Sequence, residues 1–356
     1  MSDVRAEIIT RRTYCRPKDD GSYETWDEVV ERVISHQQWL WERAKKKPLT
    51  TFELAELDEL KQLMLERKLS TSGRTLWLGG TDIAKSRESS QFNCAFTNVE
   101  TVYDAVDCLW LLLQGTGVGF SPVIGTLNGF FKPIKDVEVI RSTRVLDDEG
   151  NYERGNEDNK ETFIDGVWTI QIGDSAEAWA KSIGKLLAGK RPADKLVLDF
   201  SQIRPAGIRL KGYGWISSGD EAIAAAYVKI AKIMSQRAGQ LLTRIDILDI
   251  MNLMGTILSS RRSAQIALFE YGEPEWKEFS TAKKNYWVCK TCGSHNTSAG
   301  TCNACGASNT NDHRTQSNNS LGFHKKPSRD ELANIFKIME EAGGSEPGST
   351  DRPLFI

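Results

Sequence analysis

Four of the seven cysteines stand close together in the sequence and share one spacing: they are Cys289, Cys292, Cys302 and Cys305. Each Cys-x2-Cys turn directs two thiolates at one point. Two such turns complete the tetrahedral all-sulfur shell that Zn²⁺ takes in structural sites. Gly293 and Gly306 follow the two turns and supply the backbone freedom that they need. We therefore predict a structural zinc site with no open coordination position.

The alternative for this cluster is four unrelated reduced thiols, which the symmetric spacing disfavours. Small zinc ribbons often bind nucleic acid or protein. Few residues near the cluster are basic: Lys283, Lys284, Lys290 and Arg314. We therefore do not expect a nucleic-acid partner.

Cys94 and a glycine-rich segment are the other candidates for chemistry. Cys94 follows Asn93 in an apolar stretch, and alone it fits either a buried structural thiol or a redox thiol. Gly115-x-Gly117-x-Gly119 is not followed by Lys-Ser/Thr, so it is not a Walker loop, and it ends a predicted helix instead of beginning one. A tightly packed helix end and a ligand-binding loop both remain open for it.

Composition excludes several classes of protein. The 356 residues carry a formal net charge of −2 and are 40% hydrophobic, which is typical of a globular chain without a polyanion or membrane partner. The longest apolar run, Ala222–Val228, is too short to span a bilayer, and the first residues lack the apolar core of a signal peptide. The grouping of the cysteines indicates a reducing compartment. We expect a cytoplasmic protein.

The elements that must position these residues follow from periodicity and capping patterns. Residues 25–67 read as two helices, the second beginning at the capping box Thr50-x-x-Glu53. We expect a helical region over 1–85. From residue 86 predicted strands and helices alternate, which indicates an α/β fold. We predict strands at Gln91–Thr97, Val137–Ile140, Val167–Ile172, Leu196–Phe200 and Ser263–Leu268, with helices over 101–114, 220–238 and 246–258 between them.

Short blocks in a fixed order resemble the start of the monomeric, adenosylcobalamin-dependent (class II) ribonucleoside-triphosphate reductases. They are Ser70–Asp82, Gln91–Phe96, Gly115–Ser121, Leu196–Pro205, Gly212–Gly214, Ser217–Gly219, Leu242–Asp246, Asn252–Gly255, Arg261–Ala264 and His313–Ser320. No block is decisive alone, but their joint order is specific. The resemblance implies an N-terminal helical region, then over 86–356 roughly half of a ten-stranded α/β barrel. The zinc-ribbon-like segment 285–312 would be an insertion between family blocks.

The resemblance also implies roles for individual residues. Cys94 matches the first cysteine of the redox pair that reduces the ribose for deoxyribonucleotide and DNA synthesis. The chemistry suits a thiol, which gives electrons and a proton and then closes a disulfide. The residues implied in binding the ribonucleoside triphosphate are Ser70, Ser72, Arg74, Asn93, Gly117, Gly119 and Asn319. The sequence itself does not distinguish a diphosphate from a triphosphate substrate.

An effector region is implied over about 130–264, in which a deoxynucleotide or ATP selects the base to be reduced. Asp174, Arg261 and Arg262 are the implied contacts, although solvated arginines after a helix would look the same. Ser259-Ser260 stands where the family has a longer loop, which puts inherited specificity rules in doubt.

One family feature is missing from the sequence. The radical cysteine belongs to an Asn-x-Cys-x-Glu loop, and no cysteine follows Cys305. We expect the radical cysteine, the second redox cysteine, the adenosylcobalamin site and the tail that accepts electrons from a dithiol reductant to lie beyond Ile356. Two hypotheses follow: a reductase completed by a second polypeptide, or an inactive remnant that binds nucleotides or acts through its zinc module. Retention of Cys94 favours the first.

Overall fold

The computed structural model describes residues 4–210, 215–258, 264–283, 287–289, 291–296, 301–307, 312–342 and 346–351. Arg261 and Arg262 lie outside the described residues. Backbone contacts divide the chain into two compact units, Met1–Asn93 with Arg209–Trp215, and Cys94–Ile208 with Ile216–Ile356. Within the described ranges, we find no helix that combines the length and apolar character needed to cross a bilayer.

The first unit is helical, as the sequence predicts. Its helices are α1 (Val4–Thr13), α2 (Trp26–Lys45), α3 (Thr51–Leu65), α4 (Gly73–Leu78) and α5 (Asp82–Ser86), followed by a 3-10 turn at Glu88–Gln91. The capping box of α3 is confirmed, since Thr50 accepts from the backbone of Glu53 and the Glu53 carboxylate accepts from the backbone of Thr50. Ser72 caps α4, so this helix begins at Gly73, inside the family block Ser70–Asp82.

The second unit is mixed α/β. Its helices are α6 (Val102–Leu113), α7 (Ala176–Ala188), α8 (Glu221–Gln236), α9 (Arg244–Gly255), α10 (Trp276–Ser280) and α11 (Arg329–Ala342). Its strands are β1 (Cys94–Val99), β2 (Gly117–Pro122), β3 (Asp136–Ile140), β4 (Lys160–Ile164), β5 (Val167–Gln171), β6 (Lys195–Asp199), β7 (Gln265–Glu270), β8 (Trp287–Val288), β9 (His295–Asn296), β10 (Ser317–Phe323) and β11 (Gly348–Asp351).

Five strands form one parallel sheet in the order β1-β2-β7-β10-β11. Helices α6 and α9 pack on one face of it, where Val118, Phe120, Ala267 and Leu321 are buried. The strand β2 was not predicted, because glycines at positions 117 and 119 are typical of loops. Pairing on both sides outweighs that weak local preference.

A second sheet has the order β3-β6-β5-β4, and its hairpin β4–β5 is the only antiparallel pair in it. Asp165 and Gly166 form the hairpin turn with φ of 48° and 78°, the left-handed values that a two-residue Asp-Gly turn requires. The central strand β6 is buried along Leu196–Asp199, in agreement with the predicted strand at Leu196–Phe200. The predicted strands at Val137–Ile140 and Val167–Ile172 likewise correspond to β3 and β5, whereas β4 was not predicted.

A largely but not fully buried ionic cluster joins α9 to the 3-10 turn Asp312–Gln316 that precedes β10. Both carboxylate oxygens of Asp249 accept from Arg314, at 2.6 and 2.7 Å, and Oδ1 also lies 2.9 Å from His313 Nε2. Burial raises the pKa of Asp249, but the hydrogen bonds from Arg314 and His313 outweigh it, and the pKa is lowered overall. The carboxylate is therefore held charged at the point where β10 begins.

We expect Asp249→Asn to lower the free energy of unfolding by about 3 kcal/mol, because it leaves the buried Arg314 guanidinium without its counter-ion. Urea unfolding at pH 7 measures this loss. The lowered pKa means that the carboxylate stabilises the fold above its unfolded pKa and that this contribution disappears as pH falls through the folded value. The difference between wild type and variant should therefore shrink on acidification.

A matched control is Glu341→Gln, which removes an exposed partner of Lys337 at 3.9 Å. Exposed pairs of this kind contribute at most about 1 kcal/mol, so this variant should unfold close to wild type. Equal stabilities of the Asp249 variant and the control would contradict the anchoring role of the cluster.

Candidate functional site

Cys94 is the first residue of β1, and its side chain is exposed. Successive side chains of a strand point to opposite faces, so Phe96, two residues on, shares the face of Cys94. Phe96 is 52% exposed, in keeping with this placement. We call this side of the five-stranded sheet the open face, because α6 and α9 cover the other side. The sequence alone was compatible with either a buried or an exposed Cys94. In the structure the Cys94 side chain is exposed.

Parallel pairing puts glycines beside both open-face residues. Cys94 pairs with Gly117, and Phe96 pairs with Gly119. A Cβ on Gly119 would lie 2.6 Å from Phe96 Cδ2, so only glycine leaves room for the aromatic ring there. Close packing of a ring therefore explains Gly119 directly, while Gly117 leaves bare backbone next to the thiol.

The next strands continue the open face. Ile266 of β7 pairs with Gly119 and is 51% exposed, and Asn318 of β10 pairs with Ile266 and is also exposed. Asn319, which the sequence assigns to the substrate, points to the covered side. It is 3% exposed and accepts a hydrogen bond from the Ser317 hydroxyl at 2.9 Å. Among the two asparagines, the structure brings Asn318 and not Asn319 onto the face of Cys94.

Four other predicted substrate residues belong to the helical unit. The Ser70 hydroxyl donates to the carbonyl oxygen of Thr71 at 2.9 Å, and the Ser72 hydroxyl caps α4. Arg74 donates from Nε to Asn93 Oδ1 at 3.2 Å, and its guanidinium lies 5.6 Å from the centre of the Trp215 ring. Burial lowers the pKa of Arg74. The structure thus brings Arg74 and Asn93 together.

Asp174, a predicted effector contact, is 5% exposed and forms an ion pair inside the second unit. Both of its carboxylate oxygens lie 2.9 Å from Arg204 Nε, and Arg204 also donates to its carbonyl oxygen. Burial raises the pKa of Asp174, against the opposing effect of Arg204. Asp174 thus connects the start of α7 to the segment after β6, while Ser175 supplies the helix cap.

A cavity of about 860 Å³ lies between α6, the β4–β5 hairpin and α7. It is lined by cationic side chains, by exposed Tyr103 and by other residues of these elements; the cations are Lys181, Lys185, Lys190 and Arg191. Glu161 balances part of this charge, since it pairs with Lys185 at 2.5 Å and with Arg191 at 3.3 Å. Sequence reasoning missed this cavity, although Lys181 and Lys185 stand one helical turn apart and Lys190-Arg191 follows α7 directly.

The four clustered cysteines converge as their spacing predicts. Their sulfur atoms all lie within 4.8 Å of one another, and the structure contains them as free thiols. Cys289 Sγ is 3.7 Å from Cys305 Sγ, and Cys292 Sγ is 3.6 Å from Cys302 Sγ. A Zn–S bond of about 2.3 Å with tetrahedral angles would place two sulfurs about 3.8 Å apart. The donor set therefore fits a tetrahedral metal ion.

The backbone of each turn supports this arrangement. Gly293 N–H donates to the Cys289 carbonyl and Gly306 N–H to the Cys302 carbonyl, both at 2.8 Å. The two glycines have φ of 72° and 73°, as predicted for residues that need left-handed backbone. Backbone N–H groups of Cys292 and Thr291 donate to the Cys289 sulfur and lower its pKa. The backbone of the first turn therefore favours the thiolate form of Cys289.

Comparisons with known proteins agree with the resemblance seen in the sequence. A family model described as the ribonucleotide reductase alpha domain matches residues 2–81. An adenosylcobalamin-dependent ribonucleoside-triphosphate reductase from Lactobacillus gasseri is 32% identical over 326 residues, covering 78% of this chain and 42% of that protein. The protein of the same name from Euglena gracilis is 29% identical, covering 78% of this chain and 36% of its own length.

A solved structure gives the same result for the fold. The crystal structure of a B12-dependent (class II) ribonucleotide reductase superposes with a TM-score of 0.71 at 22% identity, over 97% of this chain and 48% of that one. The chain thus spans less than half the length of these relatives. It belongs to the ribonucleotide reductase family, and it is similar to the N-terminal portion of the adenosylcobalamin-dependent (class II) enzymes.

Proposed function

We propose that this chain is the N-terminal part of an adenosylcobalamin-dependent ribonucleoside-triphosphate reductase and that Cys94 is one of its two redox thiols. One observation carries the proposal: Cys94 is an exposed thiol at the start of a parallel strand, beside the bare backbone of Gly117. A pocket for a nucleotide at this edge of a parallel sheet needs such a combination of reactive group and open space. The five parallel strands would then be half of the family's ten-stranded barrel.

The reaction needs two electrons and two protons for each ribose. Two thiols supply them by closing a disulfide, and the 2′-hydroxyl leaves as water. A dithiol reductant then restores the thiols. In this scheme Cys94 gives its proton and one electron on the open face, where a ribose lying over Gly117 would be adjacent to its sulfur.

We infer that the second thiol is none of the other six cysteines of Met1–Ile356. Cys15 and Cys108 are buried in separate cores, and the other four thiols form the metal cluster. Burial raises the pKa of Cys108 to about 12, which makes it a poor nucleophile. We propose that the partner thiol, the radical cysteine and the adenosylcobalamin site correspond to the part of the relatives that Met1–Ile356 does not cover. Adenosylcobalamin would supply the radical chemistry when bound, and we assign none of the described residues to it.

Substrate phosphates are best assigned to the helical unit. Arg74 supplies a charged donor held by Asn93, and Ser70 and Ser72 supply nearby hydroxyls. On the sheet, Asn318 is an exposed side-chain amide on the face of Cys94, so we assign it to the sugar in place of the buried Asn319.

The test is a complementation assay. The chain is combined with a candidate C-terminal polypeptide, and 2′-deoxynucleotide formation from ribonucleoside triphosphates is measured with adenosylcobalamin and a dithiol. Cys94→Ser should lower turnover by about a thousandfold or more, the scale expected when one member of an interdependent catalytic set is removed.

Cys108→Ala is the matched control, since it removes a buried thiol from α6 and should leave turnover near wild type. Wild-type turnover in Cys94→Ser would contradict the redox role. Nucleotide binding without turnover in every combination would instead favour an inactive nucleotide-binding remnant.

We further propose that the cavity between α6 and α7 receives the deoxynucleotide or ATP effector. Its volume suits a nucleotide, and its lysines and arginine exceed what Glu161 can neutralise. Lys181 and Lys190 are exposed side chains at its rim and suit a triphosphate, while Tyr103 offers an aromatic face to a base. The role of Asp174 as an effector contact stays a prediction, since its carboxylate is held by Arg204.

The variant Lys181→Gln/Lys190→Gln should weaken binding of a deoxynucleoside triphosphate to the chain by about tenfold for each lost charge-assisted hydrogen bond. Isothermal titration calorimetry measures this, and the difference from wild type should narrow at high salt. Lys232→Gln removes an exposed lysine of α8 that does not line the cavity and serves as control. Equal affinities in all three proteins would place the effector elsewhere.

The four-cysteine cluster is proposed to hold one structural Zn²⁺. The sulfur separations and the backbone donors to Cys289 support a closed tetrahedral site. Four thiolates leave no coordination position for water or substrate, so the metal would stabilise the segment between α10 and β10 and take no part in ribose chemistry.

Protein purified without chelators should contain about one zinc per chain by elemental analysis. Cys289→Ser should lose the metal, because removal of a buried ligand opens the shell. Cys94→Ser removes an exposed thiol outside the cluster and should keep it. A metal content near zero in the wild-type protein would remove the zinc assignment.

A further inference from the structure

Glu161 is the one acidic side chain among the described residues that line the cavity between α6 and α7. Each of its carboxylate oxygens accepts a hydrogen bond. Oε2 accepts from Lys185 Nζ at 2.5 Å, while Oε1 accepts from Trp168 Nε1 at 3.0 Å and from Arg191 Nε at 3.3 Å. Two of the four cations of the cavity are thus held by a carboxylate of the protein itself.

The carboxylate of Glu161 is charged and accessible. Burial raises its pKa, but the hydrogen bonds from Lys185 and Trp168 outweigh that effect, and the pKa is lowered overall. Its side chain is 19% exposed, so solvent and a ligand can reach it. It offers Lys185 and Arg191 what a phosphate group would offer them, two oxygens that accept charge-assisted hydrogen bonds.

The same contacts connect two elements of the second unit. Glu161 lies in β4, at the edge of the sheet β3-β6-β5-β4, where β4 pairs with β5 alone. Lys185 lies in α7, and Arg191 follows that helix. The two ion pairs of Glu161 therefore hold the outer strand of the hairpin against the helix on the other side of the cavity.

A structural role alone does not require a charge at position 161. The buried indole of Trp168 needs an acceptor for its N–H, and the amide oxygen of a glutamine would serve as well. A carboxylate in addition repels any anion that approaches Lys185 or Arg191, because like charges a few ångströms apart repel each other strongly away from bulk water. The charge of Glu161 therefore acts on what the cavity can bind.

We propose that Glu161 is a displaceable counter-ion of the cavity, whose place on Lys185 and Arg191 is taken by the phosphates of the ligand, and that this exchange releases β4 from α7. The inference rests on the effector cavity proposed above and adds a regulatory step to it. The chemistry recognised is a polyphosphate chain, which a nucleoside triphosphate carries.

The exchange predicts opposite signs for two kinds of substitution in one cavity. Loss of a lysine removes a partner of the phosphates and weakens binding. Loss of the Glu161 charge removes a competitor, because Lys185 and Arg191 no longer have to leave a carboxylate before they meet a phosphate. Glu161→Gln should therefore bind polyphosphates more tightly than the wild-type chain does.

The first experiment measures affinity in the full chain by isothermal titration calorimetry. Glu161→Gln keeps an acceptor for Trp168 and removes the charge. Inorganic tripolyphosphate and dATP should both bind it about three- to tenfold more tightly than they bind wild type, the range for one or two partly exposed ion pairs. Asp158→Asn is the matched control, since it removes an exposed carboxylate outside the cavity lining and should bind like wild type.

A double-mutant cycle tests whether Glu161 acts through its ion pair. In the Lys185→Gln background, the substitution Glu161→Gln should tighten binding of tripolyphosphate less than it does in the wild-type background, because one of the two exchanged contacts is already absent. An equal gain in both backgrounds would show a general charge effect and overturn the exchange. A gain for dATP without a gain for tripolyphosphate would overturn it as well.

Release of β4 has its own readout. Hydrogen exchange followed by mass spectrometry should show that tripolyphosphate speeds the exchange of β4 amides by up to about fivefold, the scale of one exposed ion pair lost. The amides of the central strand β6 should not change, since β6 pairs on both sides. In Glu161→Gln the ligand should leave β4 unaffected, because the ion pairs are already absent there.

The outcomes separate this inference from the proposal on which it rests. If Lys181→Gln/Lys190→Gln binds tripolyphosphate and dATP as tightly as wild type, the effector cavity is wrong and this inference with it. If those lysines contribute and Glu161→Gln binds no more tightly than wild type, this inference alone is overturned. Tighter binding to Glu161→Gln with unchanged exchange of β4 in the liganded wild type would overturn the release of the hairpin.

Discussion

The parallel pairing of β1 with β2 is the constraint on which the rest of the open face depends. It aligns Cys94 with Gly117 and Phe96 with Gly119, so a thiol and bare backbone stand side by side. A slip of one residue would turn Cys94 toward the helices. Gly119 helps to specify the register, because its place is the one that leaves room for the Phe96 ring. Packing and reactivity thus depend on the same backbone alignment.

Much of this arrangement could be predicted from the sequence. The order of the family blocks indicated both the helical region and the α/β region, and Cys94, Gly117 and the four clustered cysteines lie where chemistry can use them. It was harder to predict which face of the sheet each residue of a strand occupies. Asn318 and Asn319 are adjacent in the sequence, and only the register with β7 decides that Asn318 faces outward. A residue's face depends on where its strand begins, and strand ends are poorly defined by local preference.

The residues of the proposed effector cavity could not be predicted from the sequence, for a different physical reason. A carboxylate at the start of a helix looks available in a sequence, but Asp174 is held by Arg204, thirty residues away along the chain. The cavity between α6 and α7 gathers its cations from two helical turns and a loop, and Glu161 reaches them from a separate strand. Such a site depends on charges that several helices, loops and strands contribute. The distances between these charges cannot be read from the sequence alone.

The segment that carries the cysteine cluster leaves the five-stranded sheet and returns to it at one place, so the cluster does not interrupt the sheet. Lys283, just before the segment, donates to the Ser317 carbonyl at the start of β10 and pairs with Glu346 at 2.6 Å. Beyond the segment, His313 and Arg314 are held by Asp249. Both ends of the segment are thus fixed to the sheet and to α9, and the four sulfurs converge between them. The contacts that hold the start of β10 therefore come from Lys283, Asp249 and their partners and lie outside the cluster itself.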